Sequence, residues 1–335
     1  MRKVGILLMI SVLMVLVVAC GGGGDDGVVD EVDVTRVSLY THNTEVEMTD
    51  FLKDLKDETG LEVDSLKGSG GVLWSRIESE FPNVQADMQW GSLHSFTLLA
   101  EEKDMLHAYK SPEWEAVPDQ FKDPDGKWYG WSYWFNVVAV NTDLLEELGL
   151  DKPTSWADLL DPQYEGELVI TDPGTSTTGY VFVSTIIQLM GEEEGWAYLE
   201  ALNKNVGQYV QSGSAPAQMV AEGEYAIGIS WDGAVFSRIA EGYPMDYVIP
   251  EEGVGYDLDC IFIFKGAKNL EGAQKVIDYV GSERGMKAVA EHRSMVTRPG
   301  IAGAIDFEPN FIDYDAVWAA DNRDRIMEMW RESIQ

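Results

Sequence analysis

Two long apolar runs, "GWSYWFNVVAVNTD" (Gly130–Asp143) and "YDLDCIFIFKG" (Tyr256–Gly266), bracket the middle third of the chain. Both read as extended segments able to join compact units. A chain that leaves one unit, builds a second and returns needs two such crossings, and the layout is then a hinge with a cleft.

The stretches on either side share one pattern. "RVSLY" alternates as a strand, and "NTEVEMTDFLKDLKDETG" then places Met48, Phe51, Leu52 and Leu55 at i, i+3, i+4, i+7, with Gly60 as its stop. "LEVDSL" is a second strand, and "KGSGG" leads into a helix carrying Leu73, Ile77 and Phe81. In the middle third "ELVITD" is a strand, and a helix runs from about Tyr180 to Met190. "APAQMVAEG" is a short helix before the strand "YAIGISWD". Ser155 and Asp158 of "SWADLL" form a capping box. Ala273, Val276, Ile277 and Val280 make a further helical stripe. Strands alternating with helices imply parallel sheet with helices packed on it. With 335 residues, 45% of them hydrophobic, the chain can bury one large core or two moderate ones. The expected class is α/β in two lobes: 36–135 plus 262–300 as the first, 136–261 as the second, and 301–335 as a C-terminal helical segment.

"MRKVGILLMISVLMVLVVAC" begins with Arg2 and Lys3 and continues apolar from Val4 to Ala19, as a signal peptide does. The run is too short for a stable transmembrane helix. Its ending, Val17–Cys20, resembles a bacterial lipoprotein signal. That resemblance implies removal of 1–19, acylation of Cys20, attachment to a membrane through the lipid alone and work outside the cytoplasm. The glycine- and acid-rich stretch that follows makes 20–35 a flexible tether. The only other cysteine, Cys260, sits in an apolar run and is expected to be a buried, inert thiol. Net charge is -34, from 24 basic and 58 acidic residues. Nucleic acid and anionic membrane surfaces are thereby poor partners, because both are bound by Lys and Arg.

In doubly wound sheets, ligands bind beyond the carboxyl ends of strands. Six such ends run into small or hydroxylated residues: Tyr40–Glu45, with Thr41 and Asn43; Lys67–Gly71, with Ser69 and Gly70; Gln89–Ser92, with Gly91 and Ser92; Asp172–Gly179, with Thr175, Ser176, Thr177, Thr178 and Gly179; Ser212–Pro216, with Ser214; and Ser230–Gly233. Helix N-termini present unpaired N–H groups and partial positive charge, so these loops can wrap a small anion without any lysine. Asp232 and Glu252 can accept hydrogen bonds from a hydroxyl or ammonium end. Trp231, Tyr133 and Trp134 can stack on a ligand, and Trp90 and Trp131 belong to the core. The four histidines form no metal motif and there is no nucleophile elbow, so the chain reads as no enzyme, with no cofactor and no metal. A secreted phosphoester hydrolase using the same anion loops is the alternative from another class.

The segments "ADMQWG", "YKSPEWEAVPDQFKDPDGKWYG", "VNTDLLEELGLDKPTSWADLLDPQYEGELVITDP", "SGSAPAQMVAEGEYAIGIS" and "VTRPG" resemble the extracellular solute-binding proteins of ABC importers. The similarity is to the ferric-iron-type branch, which also holds hexose-phosphate and aminoethylphosphonate binders, and it runs from about Val37 to Gly300. It implies a two-lobe, periplasmic-binding-protein-like clamp, active as a monomer, that hands a solute to permease subunits. Ferric binders of that family carry adjacent tyrosines after the strand matching "YAIGIS", where this chain reads "WDGAVFSRI". Sugar-phosphate binders place acids at Asp232 and near Glu252, and hold phosphate in loops matching "GSGG" and "GTSTTG". The resemblance therefore implies an organophosphate or phosphonate, with Thr175–Gly179 on the anion and a ferric receptor as the alternative within the class.

Overall fold

The computed structural model describes residues 35–303, 305, 307 and 309–334. The leader, Cys20 and the tether up to residue 34 lie outside them. The chain begins β1 (Arg36–Thr41), α1 (Glu45–Thr59), β2 (Glu62–Lys67), α2 (Gly70–Glu80), β3 (Met88–Leu93), α3 (His94–Glu102) and β4 (Leu106–His107). The long strand β5 (Trp128–Asn141) follows, then α4 (Thr142–Leu148), β6 (Leu168–Thr171), α5 (Thr177–Met190) and α6 (Glu192–Leu202). Next come β7 (Val206–Val210), α7 (Ala215–Ala221), β8 (Ile227–Trp231), α8 (Asp232–Ala240), β9 (Met245–Val248) and β10 (Tyr256–Phe264). The chain ends with α9 (Leu270–Gly281), α10 (Glu283–Ala290), β11 (Met295–Val296), α11 (Ala316–Asp321) and α12 (Arg323–Ser333).

The strand order is β2-β1-β3-β10-β5-β8-β6-β7. Parallel pairs β1–β2 and β1–β3 lie at one end, β6–β7 and β6–β8 at the other. The two apolar runs are the antiparallel strands between them. β10 pairs with β3 and β5, and β5 pairs with β10 through its first half and with β8 and β9 through its second. The sheet is therefore mixed rather than purely parallel. β5 and β10 are hydrophobic on both faces because helices and neighbouring strands cover both.

Buried side chains fall into two large clusters. One gathers Val37, Phe51, Trp90, Trp131, Phe262 and Val276; the other gathers Val138, Trp156, Ile170, Phe182, Ile229 and Trp330. Trp90 and Trp131 are fully buried, and Cys260 is too, its thiol pushed well up by that burial. The C-terminal segment packs on the second cluster: the Tyr180 hydroxyl donates to the carbonyl of Ala319, and the Arg323 guanidinium lies over the Tyr180 ring.

Local rules explain most boundaries. Thr44 and Glu47 form a reciprocal capping box at the start of α1, and Gly60 ends the helix at φ 74°, where a Cβ would be strained. Ser155 and Asp158 also cap each other, at distances of 3.2 and 3.0 Å, but they open only a short 3-10 turn. Two expectations shift. Phe81 ends α2 instead of continuing its stripe and is 39% exposed, because Pro82 disfavours helical backbone in the residue before it. α5 starts at Thr177, about one turn early, because the Ser176 hydroxyl accepts from the Thr178 amide and caps the helix there.

Candidate functional site

A cleft of about 890 Å³ opens between the two clusters. From the first side come the end of β1 with the start of α1 (His42, Asn43, Thr44, Glu47) and the start of α2 (Ser69–Val72, Ser75). From the second come Thr175–Thr178 at the start of α5 and Gln211–Ser214 before α7. Leu93, Trp134 and Trp231 supply an apolar wall, and Asp259 and Arg293 complete the floor.

The loops converge because of where their strands end. β1 and β3 run along β5 while β6 and β8 run against it, so the two sets of carboxyl ends face each other near the middle of β5, and the chain turns there into a helix or a tight bend. Ser69 is the N-cap of α2, yet its hydroxyl makes no capping bond. Among the described residues the hydroxyls of Ser69, Thr177 and Thr178 have no hydrogen-bond partner, whereas Thr175 Oγ donates to the carbonyls of Asp172 and Gln211. The second-side loops touch closely: a Cβ on Gly213 would collide with the Thr178 hydroxyl, and the Ser230 hydroxyl donates to the Gly213 carbonyl at 2.7 Å. Asn136 of β5 donates to the Thr178 carbonyl at 3.2 Å, tying the start of α5 to the central strand.

The sequence-selected residues divide into three groups. Asn43, Ser69, Gly70, Thr175, Ser176, Thr177, Thr178, Ser214 and Trp231 line the cleft. Thr41, Gly91, Ser92 and Gly179 lie behind its walls: Thr41 and Ser92 are buried, Gly91 takes φ 86° against Asn43, and Gly179 packs on the end of β6. Asp232 and Glu252 are held elsewhere. Asp232 is 1% exposed at the start of α8 and accepts from the Phe135 amide at 3.2 Å and from Ser294; burial pushes its carboxyl up to about 6. Glu252 accepts from the Trp156 and Ala157 amides at 2.9 and 3.0 Å, so its carboxylate serves the start of a 3-10 turn (Ala157–Leu160) rather than the cleft. Tyr133 stacks with Phe121 and packs on Tyr256 and Phe311, in the core rather than the cleft.

The floor carries a charge network that no sequence motif announced. Arg293 sits 3.3 Å from Asp259 and 3.1 Å from Glu47, donates to the Asn43 amide oxygen at 3.0 Å, and lies over the Trp131 ring at 4.9 Å. Its Nε faces Glu47 as an ion pair without hydrogen-bond geometry. Asp259 also meets His42 Nε2 at 2.9 Å and the Ser132 hydroxyl at 3.0 Å. Burial alone would raise the Asp259 carboxyl, but Arg293, His42 and Ser132 outweigh it and hold it below the usual range. The cleft thus holds a cation after all, already balanced by two carboxylates. Two residues away on β10, Asp257 pairs with no Arg or His side chain among the described residues, and burial pushes it up to about 8. The one available signal was the pair of aspartates inside the apolar run "YDLDC", since buried carboxylates are rarely left unpaired.

An α/β protein that places an open polar cleft between two cores, with helix starts on both walls, is built as a solute receptor. The chain belongs to the bacterial extracellular solute-binding protein family, whose sequence profile matches residues 84–316. It is similar to the periplasmic binding protein AfuA from Actinobacillus pleuropneumoniae, solved with exogenous fructose-6-phosphate bound: 31% identity, TM-score 0.82, covering 89% of this chain and 98% of that one. It is 28% identical over 273 residues to the spermidine/putrescine-binding periplasmic protein of Escherichia coli, covering 76% of this chain and 75% of that protein. Iron-bound HitA from Pseudomonas aeruginosa shares the fold at 21% identity and TM-score 0.77, covering 88% and 99%. This is a solute-binding protein of an ABC importer, and its relatives are periplasmic binding proteins rather than enzymes. No helix among the described residues is long and apolar enough to cross a membrane.

Proposed function

We propose that the protein captures a small anionic organic solute, an organophosphate or phosphonate, and hands it to its permease. The observation that carries this reading is that the first turns of α2 and α5, one on each core, line the same cleft with free hydroxyls. Each helix start favours an anion by about 0.3–1 kcal/mol. Hydrogen bonds to a charged group add roughly 1.5–3 kcal/mol each. Several of them together match a micromolar ligand after the cost of association. Trp134, Trp231 and Leu93 suit the carbon skeleton of such a solute. Fructose-6-phosphate in AfuA has this chemistry. A ferric receptor fits less well: Glu47 and Asp259 are committed to Arg293, and the described lining includes no tyrosine. In this reading 36–135 with 262–300 and 136–261 are the lobes that close on the solute.

A thermal-shift screen of organophosphates, phosphonates, polyamines and ferric chelates identifies the class, since a ligand at a hundred times its Kd adds about 2.7 kcal/mol. Replacing Thr177 and Thr178 together by valine removes two unpartnered hydroxyls at similar volume. Affinity for the organophosphate hit is expected to fall more than tenfold while apo melting stays within a few degrees; an unchanged Kd removes the loop from the site. We also propose that Cys20 carries the lipid anchor. Cys20→Ser is expected to move the protein from the membrane to the soluble fraction, and continued membrane association counts against the anchor.

A further inference from the structure

His42 lies in the Tyr40–Glu45 loop between Thr41 and Asn43, and it projects into the cleft with its side chain 16% exposed. Its Nε2 is committed to Asp259 Oδ1 at 2.9 Å. Asp259 cannot swing away, because its other oxygen is held by Ser132 at 3.0 Å and faces Arg293 at 3.3 Å. Ser132 and Asp259 are opposite each other in the β5–β10 ladder. The ring is thus fixed by the central strands and not by its own loop. The charged groups around it are Asp259 on β10, Glu47 on α1 and Arg293 in the segment before β11; the remaining lining from α2, α5 and the Gln211–Ser214 loop is uncharged.

This arrangement fixes the tautomer. An ionised Asp259 accepts from Nε2, so Nε2 carries a hydrogen in either charge state of the ring. Nδ1 has no hydrogen-bond partner among the described residues. In the neutral ring Nδ1 is only an acceptor, which repels an oxyanion. In the charged ring it is a donor, which attracts one.

We propose that His42 is a ligand-contacting group of the cleft and that an oxyanion binds against its Nδ1 with uptake of one proton from solvent by the ring. The inference rests on the oxyanion reading above and adds a proton linkage to it. Carboxylate held behind the ring stabilises the charge that the ligand requires in front of it. Affinity for an anion that does not itself titrate therefore rises as pH falls.

The test is calorimetry of the mature chain with glucose 6-phosphate and with glucose 6-sulfate, whose charge is constant over the range, between pH 6 and 8.5. Repeating each titration in buffers of different ionisation enthalpy counts the protons taken up. Uptake of a fraction of a proton near pH 7.5 is expected for both ligands, and a several-fold gain in sulfate-ester affinity is expected between pH 8.5 and 6.5. In His42→Gln, which keeps a neutral polar side chain, proton uptake with the sulfate ester is expected to vanish and its affinity to become independent of pH. Asp259→Asn removes the carboxylate that supports the charged ring, and should reduce the uptake with melting of the apo protein recorded alongside. Binding with no proton uptake, or uptake that persists in His42→Gln, overturns this inference and leaves the oxyanion reading standing. Failure of both esters and of inorganic phosphate to bind overturns the oxyanion reading and this one with it.

Discussion

Arg293→Leu is expected to cost about 3–5 kcal/mol of folding free energy, because it strands two carboxylates that the fold has already removed from water. Glu47 and Asp259 are 6% and 1% exposed, and Arg293 itself is 8% exposed. The guanidinium spans α1, β10 and the segment before β11, and its contact with Trp131 is lost as well. The pH dependence has a definite sign. In the wild type the Asp259 carboxyl is depressed, so its contribution is present above the ordinary carboxylate range and is lost as pH falls through its folded value. Without Arg293 burial dominates and the shift reverses, so the variant loses stability as pH rises from acid to neutral. The gap between the two proteins should widen from pH 4 to pH 7 in urea unfolding. Asp259→Asn and Glu47→Gln added to Arg293→Leu should recover part of the loss. A deficit below about 1 kcal/mol at pH 7 would show that the pair is solvated and the floor is not the rigid element described above.

Gly179→Ala should damage both stability and binding, because the first turn of α5 leaves no room for a methyl group. A Cβ there would overlap the carbonyl oxygen of Thr171 and come within 2.8 Å of the Pro173 nitrogen, both backbone atoms that cannot rotate aside. Overpacking of this kind costs typically 1–3 kcal/mol. Relief requires α5 to move away from β6, which carries Thr177 and Thr178 out of the cleft. A lower denaturation midpoint together with at least a tenfold loss of affinity is expected. Normal affinity in the folded fraction would mean that the cleft does not depend on the seating of α5.

Periodicity made most of the scaffold legible. Met48, Phe51 and Leu55 repeat at helical spacing because one face of α1 is buried, and β5 and β10 stand out as apolar runs because both their faces are covered. The loop clusters around Ser69, Thr177 and Ser214 were visible for a similar local reason: small residues follow strands directly. The floor was not visible. Arg293 finds Asn43 across 250 positions, and "EHRSM" carries no sign of it. Asp232 and Glu252 show the converse case. Both looked like loop acids free to meet a ligand, whereas tertiary packing gives one to the Phe135 amide and the other to a 3-10 turn. Local sequence announces what a backbone will do, but the destination of a charged side chain depends on distant partners.

One consequence follows from the paired run of β5 and β10. These strands carry the chain between the two cores as hydrogen-bonded neighbours, in a ladder whose register shifts once, between Asp259 and Cys260. A change in the angle between the cores therefore has to bend or twist that ribbon, and the shifted register at Asp259/Cys260 is where its pairing is already irregular. Substitutions along this shared ribbon, far from the solute, are then a route by which sequence can set how the two walls of the cleft face each other.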